Sequence, residues 1–245
     1  LADQLLKEPI SVNEVCASPE RKLWDNSMSD EIAGLLQNNV WTEPVKPPQG
    51  RRVIDIKLVL KRKANQFGKV VRYKARLVAK GFRQIQGPDY HDVFAPTPSP
   101  AILRMIFALA ASKDWELKHW DVKQALTQAD VEEDIYVRLC DGCGDLSGKV
   151  VKLLKSLYGC RQSWRNFNLL LVQILSECGF ELCEADTCVL RLVVDGEVRA
   201  VMPTHVDDLL IAGALVLLPV IKSGIQKYFE IEDLGDMKYY MGCEV

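Results

Sequence analysis

Two adjacent aspartates, Asp207 and Asp208, lie in the stretch Met202-Pro203-Thr204-His205-Val206-Asp207-Asp208-Leu209-Leu210-Ile211-Ala212-Gly213, with apolar residues on both sides. Residues 188–194 upstream read as a strand, and the Asp195-Gly196 dipeptide that follows is a strong hairpin signal. That hairpin delivers the next strand to a second tight reversal at Asp207-Asp208. Two like charges side by side at a strand end repel, so a divalent cation is their natural resident. A solvated Asp-Asp turn is the competing reading, and the pair alone does not decide between them.

A second acid changes the weighing. Residues 115–122 read as a strand with Trp115, Leu117, His119 and Asp121 on one face and Glu116, Lys118, Trp120 and Val122 on the other. Asp121 then sits at a strand end, 86 residues upstream of Asp207, where it can converge with the pair on one face of a sheet. Three carboxylates are what a two-metal site needs. Mg²⁺ prefers oxygen ligands and keeps positions open for water and substrate phosphate. Two such ions roughly 3.5–4 Å apart can activate a 3′-hydroxyl and stabilise departing pyrophosphate in an in-line phosphoryl transfer.

The elements that must position these acids come from a chain of ordinary globular composition. The 245 residues are 48% hydrophobic and 26% charged, enough for one large domain or two small ones. The longest apolar run, residues 209–221, is too short to span a bilayer and contains Pro219. No secretory leader is visible at the N-terminus, so an intracellular location and no membrane partner are expected. The eight cysteines are scattered, mostly in apolar segments, and are expected to be reduced and largely buried. Cys140-x-x-Cys143 has half the spacing of a zinc site, but no second pair follows, so no metal is assigned there.

Charge is unevenly spread. Residues 46–83 hold thirteen Lys or Arg and one acid, Asp55, leaving 18 basic against 32 acidic side chains elsewhere. A concentrated basic tract suits a polyanion through phosphate contacts and counterion release; a solvated basic face is the plainer alternative.

In order, residues 1–17 read as mostly irregular. Ser18-Pro19 then opens a helix with Leu23, Trp24, Met28, Ile32, Leu35 and Leu36 as core, closed by Asn38-Asn39. Residues 53–62 and 70–79 form a long basic hairpin carrying Lys57, Lys61, Arg62, Lys63, Arg72, Lys74, Arg76 and Lys80. Helices are expected at 101–112, 124–133 and 162–178, the last stopped by Gly179, and at 215–229 with a break near Pro219 and Gly224. Residues 237–245 read as a closing strand.

Taken together, several stretches resemble the reverse transcriptase domain of copia-type LTR retrotransposons. They are Trp41-Thr42, the run from Arg72 to Phe82, Gly87-Pro88-Asp89-Tyr90, and Phe94-Ala95-Pro96. Asp121-Val122-Lys123-Gln124-Ala125, Leu157-Tyr158-Gly159 with Arg161-Gln162, Val206-Asp207-Asp208 and Asp233-Leu234-Gly235 continue the series. The resemblance covers roughly residues 8–245 and implies an α+β fold of right-hand polymerase type. Residues 18–98 would be fingers and 99–245 a palm whose antiparallel sheet packs on helices, with thumb and ribonuclease H absent. It implies an RNA-directed DNA polymerase, a fragment of a Gag-Pol-like polyprotein, working with a primed RNA or DNA template, dNTPs and two Mg²⁺, for which Mn²⁺ can substitute. Asp121, Asp207 and Asp208 would hold the metals, with the Val122 carbonyl. Lys74, Arg76, Gln124, Ala125, Leu126, Gly159, Arg161 and Gln162 would meet the nucleotide. Lys61, Arg62, Lys63, Arg72, Lys80 and His205 would meet nucleic acid.

The departures are equally specific. His205 replaces the usual tyrosine before Val-Asp-Asp. Leu126 stands where an aromatic usually excludes a 2′-hydroxyl, which leaves sugar discrimination without its customary residue. Trp164 falls where the family has proline. These changes support a second reading, a decayed remnant that keeps the fold and at most binds nucleic acid. A third, an unrelated metal-dependent phosphohydrolase, lacks the extra His and Asp ligands expected, since the chain has only three histidines.

Overall fold

The computed structural model describes residues 8–9, 11–65, 67–204, 208–237, 239–240 and 243–244. The elements of the chain's first half are α1 (Val12–Ala17), α2 (Arg21–Gln37), β1 (Val53–Ala64), β2 (Val70–Ala79), α3 (Pro100–Lys113) and β3 (Glu116–Val122). Then come β4 (Tyr136–Arg138), β5 (Val150–Lys152), α4 (Ser163–Glu177), β6 (Phe180–Cys183), β7 (Asp186–Val194) and β8 (Glu197–Pro203). Last are β9 (Asp208–Gly213), α5 (Leu218–Ile225), β10 (Ile231–Asp236), β11 (Tyr239–Tyr240) and β12 (Cys243–Glu244). The fold is mixed α and β, with mainly antiparallel sheets packed on helices, compatible with the expected α+β class. Two compact units are built from interleaved segments: Leu1–Asp92 with Asp130–Ser163, and Val93–Ala129 with Trp164–Val245.

The first unit carries a four-stranded sheet in the order β2-β1-β4-β5. Its basic hairpin forms as expected because β1 and β2 alternate. Ile54, Ile56, Leu60, Ala75, Leu77 and Ala79 point inward and are buried. The Asn65 side chain accepts from the Phe67 and Lys69 amides to close the turn, where Gly68 takes φ +76°. β4 joins β1 in parallel, Val53 opposite Tyr136, so this sheet is not wholly antiparallel. As an edge strand, β2 would leave backbone groups open, and α2 satisfies them. Ser27 Oγ accepts from the Ala75 amide (2.8 Å) and donates to the Tyr73 carbonyl (3.1 Å), and Glu31 accepts from the Leu77 amide (3.1 Å).

The second unit is a six-stranded antiparallel sheet in the order β10-β3-β9-β8-β7-β6. α3 packs on it, burying Leu103 with Leu210 and Met237, and Ile106 and Ala110 with Val189, Val201 and Ala212. Ser99 caps that helix by accepting from the Ile102 amide, with Pro100 in its first turn. The expected Asp195-Gly196 hairpin is present, both residues left-handed at φ +53° and +76°, as a type I′ turn requires. Phe167 of α4 meets Phe229 with ring centroids 5.7 Å apart.

Several expectations need correction. The segment read as irregular contains α1, capped by Ser11. α2 starts at Arg21 rather than at Ser18-Pro19, because Ser18 spends its hydroxyl on the Glu20 amide in a preceding turn. Leu23 and Leu36, assigned to the core, are each 48% exposed; only Trp24, Met28 and Leu35 on the inward stripe are buried. Residues 124–133 give one 3₁₀ turn, Ala125–Gln128, instead of a helix. The long helix expected at 215–229 shrinks to α5, and Pro219 opens it rather than kinking it, consistent with proline's fit to a first helical turn. Tyr239–Tyr240 (β11) pairs antiparallel with Cys243–Glu244 (β12), and β10 was not anticipated. Of the cysteines, Cys143, Cys160 and Cys188 are buried, but Cys16 is exposed. Among the described residues no helix is long and apolar enough to cross a membrane.

Candidate active site and cationic face

In the second unit, Asp121 near the end of β3 lies directly opposite Asp208, the first residue of β9. Directly paired residues of antiparallel strands share a face with Cβ atoms about 5 Å apart, so the two carboxylates project together from one face. Like charges so placed repel, and a cation or a hydrogen-bond donor relieves that repulsion. His119 Nε2 lies 3.0 Å from Asp208 Oδ1, within hydrogen-bond distance. His119 shares Asp121's face, two residues before it. On the other side of β3, Glu232 of β10 is the residue opposite Asp121. Both aspartates are partly exposed and offer the hard oxygen donors that Mg²⁺ takes. The remaining member of the expected triad, Asp207, lies outside the described residues, as do His205 and Val206. Among the described residues alone, no group of three His, Cys, Asp or Glu is arranged to hold an ion.

The strands that carry these acids are held by close packing. β8 and β9 pair through Ala200 opposite Gly213, where a Cβ on Gly213 would lie 2.8 Å from the Ala200 Cβ. Thr204, wholly buried, directly follows β8; its amide and hydroxyl both donate to the Cys188 carbonyl, at 2.7 and 3.2 Å. After Asp121, Val122 is buried, and Gln124 adopts φ +50° before the 3₁₀ turn. The Thr127 hydroxyl and amide donate to the Gln124 carbonyl, at 2.9 and 3.0 Å. Ala125 and Leu126 are 0% and 1% exposed, so their side chains belong to the core and present no free surface.

In the first unit, strand alternation sorts the basic hairpin into two faces. Lys61 opposes Lys74, Lys63 opposes Arg72 and Val59 opposes Arg76. With Lys57 these residues place six cations on the outward face, a concentration suited to phosphate. Arg76 lies over the Tyr158 ring, 4.6 Å from its centroid. Glu31, beside β2, is pushed above the usual carboxylate range by burial, opposed by its Leu77 hydrogen bond and the charges of Arg76 and Lys74. Arg62 points the other way, opposite Tyr73. Its guanidinium pairs with Glu20 at 2.5 Å and lies over Trp24. Glu20 also accepts from the Tyr73 hydroxyl at 2.7 Å, and its carboxyl is held below the ordinary range chiefly by Arg62. Arg62 thus stands in a structural cluster and not on the cationic face. Lys80 follows β2, its amide donating to the Asp55 carbonyl.

The Gly159-Arg161-Gln162 motif is drawn into a tight knot with the end of β2. The Ala79 amide donates to the Tyr158 carbonyl at 2.7 Å. A Cβ on Gly159 would overlap the Ala79 carbonyl oxygen, and one on Gly81 would overlap the Gly159 carbonyl oxygen. Gln84, 5% exposed, accepts from the Arg161 amide (2.8 Å) and donates to Gln162 (3.0 Å). Gln162, 1% exposed, donates to the Asp89 carbonyl (2.9 Å). Arg161 Nε donates to the Gly81 carbonyl at 3.1 Å, and its guanidinium lies over Tyr90. Stretches separated by some seventy residues, those around Gly81, Asp89 and Gly159, meet here as one buried polar network.

The family model for reverse transcriptase (RNA-dependent DNA polymerase) matches residues 38–245. The chain is a reverse transcriptase domain of the copia type. It is 34% identical over 243 residues to the Retrovirus-related Pol polyprotein from transposon TNT 1-94 of Nicotiana tabacum, which covers 98% of this chain and 18% of that protein. It is 31% identical over 224 residues to the Pol polyprotein from transposon RE1 of Arabidopsis thaliana, covering 90% of this chain and 15% of that protein. The Ty1-DR5 Gag-Pol polyprotein of Saccharomyces cerevisiae is 28% identical over 179 residues, 70% of this chain and 10% of its own length. The chain therefore spans less than a fifth of the polyproteins it matches.

Sequence reasoning passed over several residues that shape this reverse transcriptase domain. His119 carried a usable signal, its place two residues before Asp121 on one strand face. Gln84, Glu20, Ser27 and Thr204 carried none, because their partners are distant in sequence.

Proposed function

We propose that this domain is the polymerase of a copia-type Pol polyprotein. It would transfer a nucleotide from a dNTP to a primer 3′-hydroxyl on an RNA or DNA template. The observation that carries this reading is the direct cross-strand opposition of Asp121 and Asp208, joined to a family match over most of the chain. The second unit is read as palm and the hairpin unit as fingers. Asp121 and Asp208, with Asp207, would hold two Mg²⁺. When bound, the ions would activate the 3′-hydroxyl and neutralise charge developing on the triphosphate. His119 orients the Asp208 carboxylate by its hydrogen bond. Lys74 and Arg76 would neutralise the triphosphate, and Lys61, Lys63 and Arg72 would draw in the template backbone. Gln162 and Ala125, being buried, would act by holding backbone in place rather than by touching the nucleotide.

The burial of Leu126 favours the second reading, a remnant that only binds nucleic acid, since no aromatic is presented where the sugar would be sensed. Mn²⁺ titration followed by water-proton relaxation separates the two. Specific binding lost in Asp121→Asn and Asp208→Asn supports the polymerase. Salt-sensitive template binding with no such Mn²⁺ signal supports the remnant.

A further inference from the structure

We propose that Cys140 and Cys143 form a redox-active dithiol, a modification site that cycles between a hydrogen-bonded thiol pair and an intra-loop disulfide by exchange with small-molecule disulfides. The pair lies in the loop between β4 and β5, clasped at its base by the Leu139 amide on the Lys149 carbonyl (3.0 Å) and the Gly148 amide on the Leu139 carbonyl (2.9 Å). Gly142 takes φ +98°, and a Cβ there would press on Val12 at 3.2 Å, so the reversal is both glycine-dependent and packed in place. Ends of a four-residue turn lie within about 7 Å, the Cα separation that a disulfide spans. The two side chains are already hydrogen-bonded to each other, and the Cys140 amide serves both sulfurs.

The two thiols are unequal in the way such chemistry needs. Cys140 is partly exposed, while Cys143 is 4% exposed and packed in the core of its unit. The Cys143 hydrogen bond draws the Cys140 thiol below its usual value against the cost of burial, with a smaller contribution from Lys80 and opposition from Asp141. Cys143 is pushed up, first by that same bond and then by burial. A partly exposed thiol whose proton is held less tightly, beside a buried donor thiol, marks an attacking and a resolving cysteine. By contrast, Cys160 and Cys188 are pushed up to about 12, mainly by burial, and have no cysteine three residues away. With no group of three metal-ligating side chains among the described residues, dithiol exchange suits this loop better than metal binding.

The step balances. The Cys140 thiolate attacks one sulfur of a small disulfide, forming a mixed disulfide and expelling one thiolate. The Cys143 thiol loses its proton to solvent and attacks the Cys140 sulfur, expelling the second thiolate. The protein dithiol is oxidised by two electrons, and the small disulfide is reduced to two thiols.

The test equilibrates the whole chain in a series of oxidised-to-reduced glutathione ratios, quenches in acid, alkylates and maps peptides by mass spectrometry. Expected is a reversible loss of two hydrogens confined to the 140–143 peptide. In Cys143→Ser a glutathione adduct should accumulate on Cys140 several-fold above that on exposed Cys16. Native alkylation of the unmodified chain, which needs no variant, should label Cys140 before Cys16. The proposal is overturned if both thiols stay alkylatable across the series, or if Cys140 reacts no faster than Cys16.

Discussion

Replacing Gly159 by alanine tests whether the knot between the Gly159 loop and the end of β2 holds the first unit together. Gly159 sits at φ +87°, and its Cβ would overlap the Ala79 carbonyl oxygen and crowd the Val78 side chain. The left-handed conformation alone costs an L-residue about 1 kcal/mol. Forcing a methyl into packed backbone adds about 2 kcal/mol, since backbone cannot rotate away as a side-chain tip would. Gly159→Ala should therefore destabilise by about 3 kcal/mol. Gly68 supplies the internal control, because it has a similar φ of +76° and no atom within 4 Å of its Cβ. Gly68→Ala should cost about 1 kcal/mol. Urea unfolding followed by circular dichroism measures both, with the slopes checked for a common transition. Equal losses in the two variants would refute the close-packing argument and leave only the backbone penalty.

Three further outcomes follow from the same geometry. Lys61→Ala, Lys63→Ala and Arg72→Ala should each reduce the magnitude of the salt slope of template binding by about one, read by fluorescence anisotropy over a salt series. Arg62→Met should leave that slope unchanged yet lose about 2 kcal/mol of stability, because it removes the charged partner of a partly buried Glu20 carboxylate that keeps the Tyr73 hydroxyl. For Glu31, burial raises the folded-state pKa above the ordinary glutamate value of 4.5. Its contribution is therefore fully present below about 4.5 and is lost as pH rises through the folded value. Glu31→Gln keeps an acceptor for the Leu77 amide, so its stability relative to the parent should increase from pH 4 to pH 7; a constant difference would contradict the assignment.

What the sequence made legible were features with local signatures. The basic hairpin, the Asp195-Gly196 turn and the strand bearing Asp121 each follow from period-two alternation or from a dipeptide that needs positive φ. Residues 124–133 misled because their apolar positions also fit a helix, yet Gln124 turns left-handed and the chain leaves the second unit after Ala129. β10 escaped because half of Ile231 to Asp236 is acidic, with a glycine among the rest, and pairing with β3 makes it a strand. Arg62 looked like its neighbours in a basic run; the one-residue offset that turns it inward matters only once Glu20 and Trp24 are seen beneath it. The opposition of Asp121 and Asp208 was expected from two separate strand ends, but the register that aligns them comes from pairing and not from either segment alone.

The most direct test is primer extension on an RNA template with Mg²⁺, comparing the parent with Asp121→Asn and Asp208→Asn, in this chain and in a Pol-length polypeptide. Each substitution removes a fixed charge from the site where transition-state charge is balanced, so dNTP incorporation should fall by at least about 100-fold while template affinity is retained. Incorporation that persists in either variant, or that is absent from the parent in both settings, would contradict the polymerase assignment.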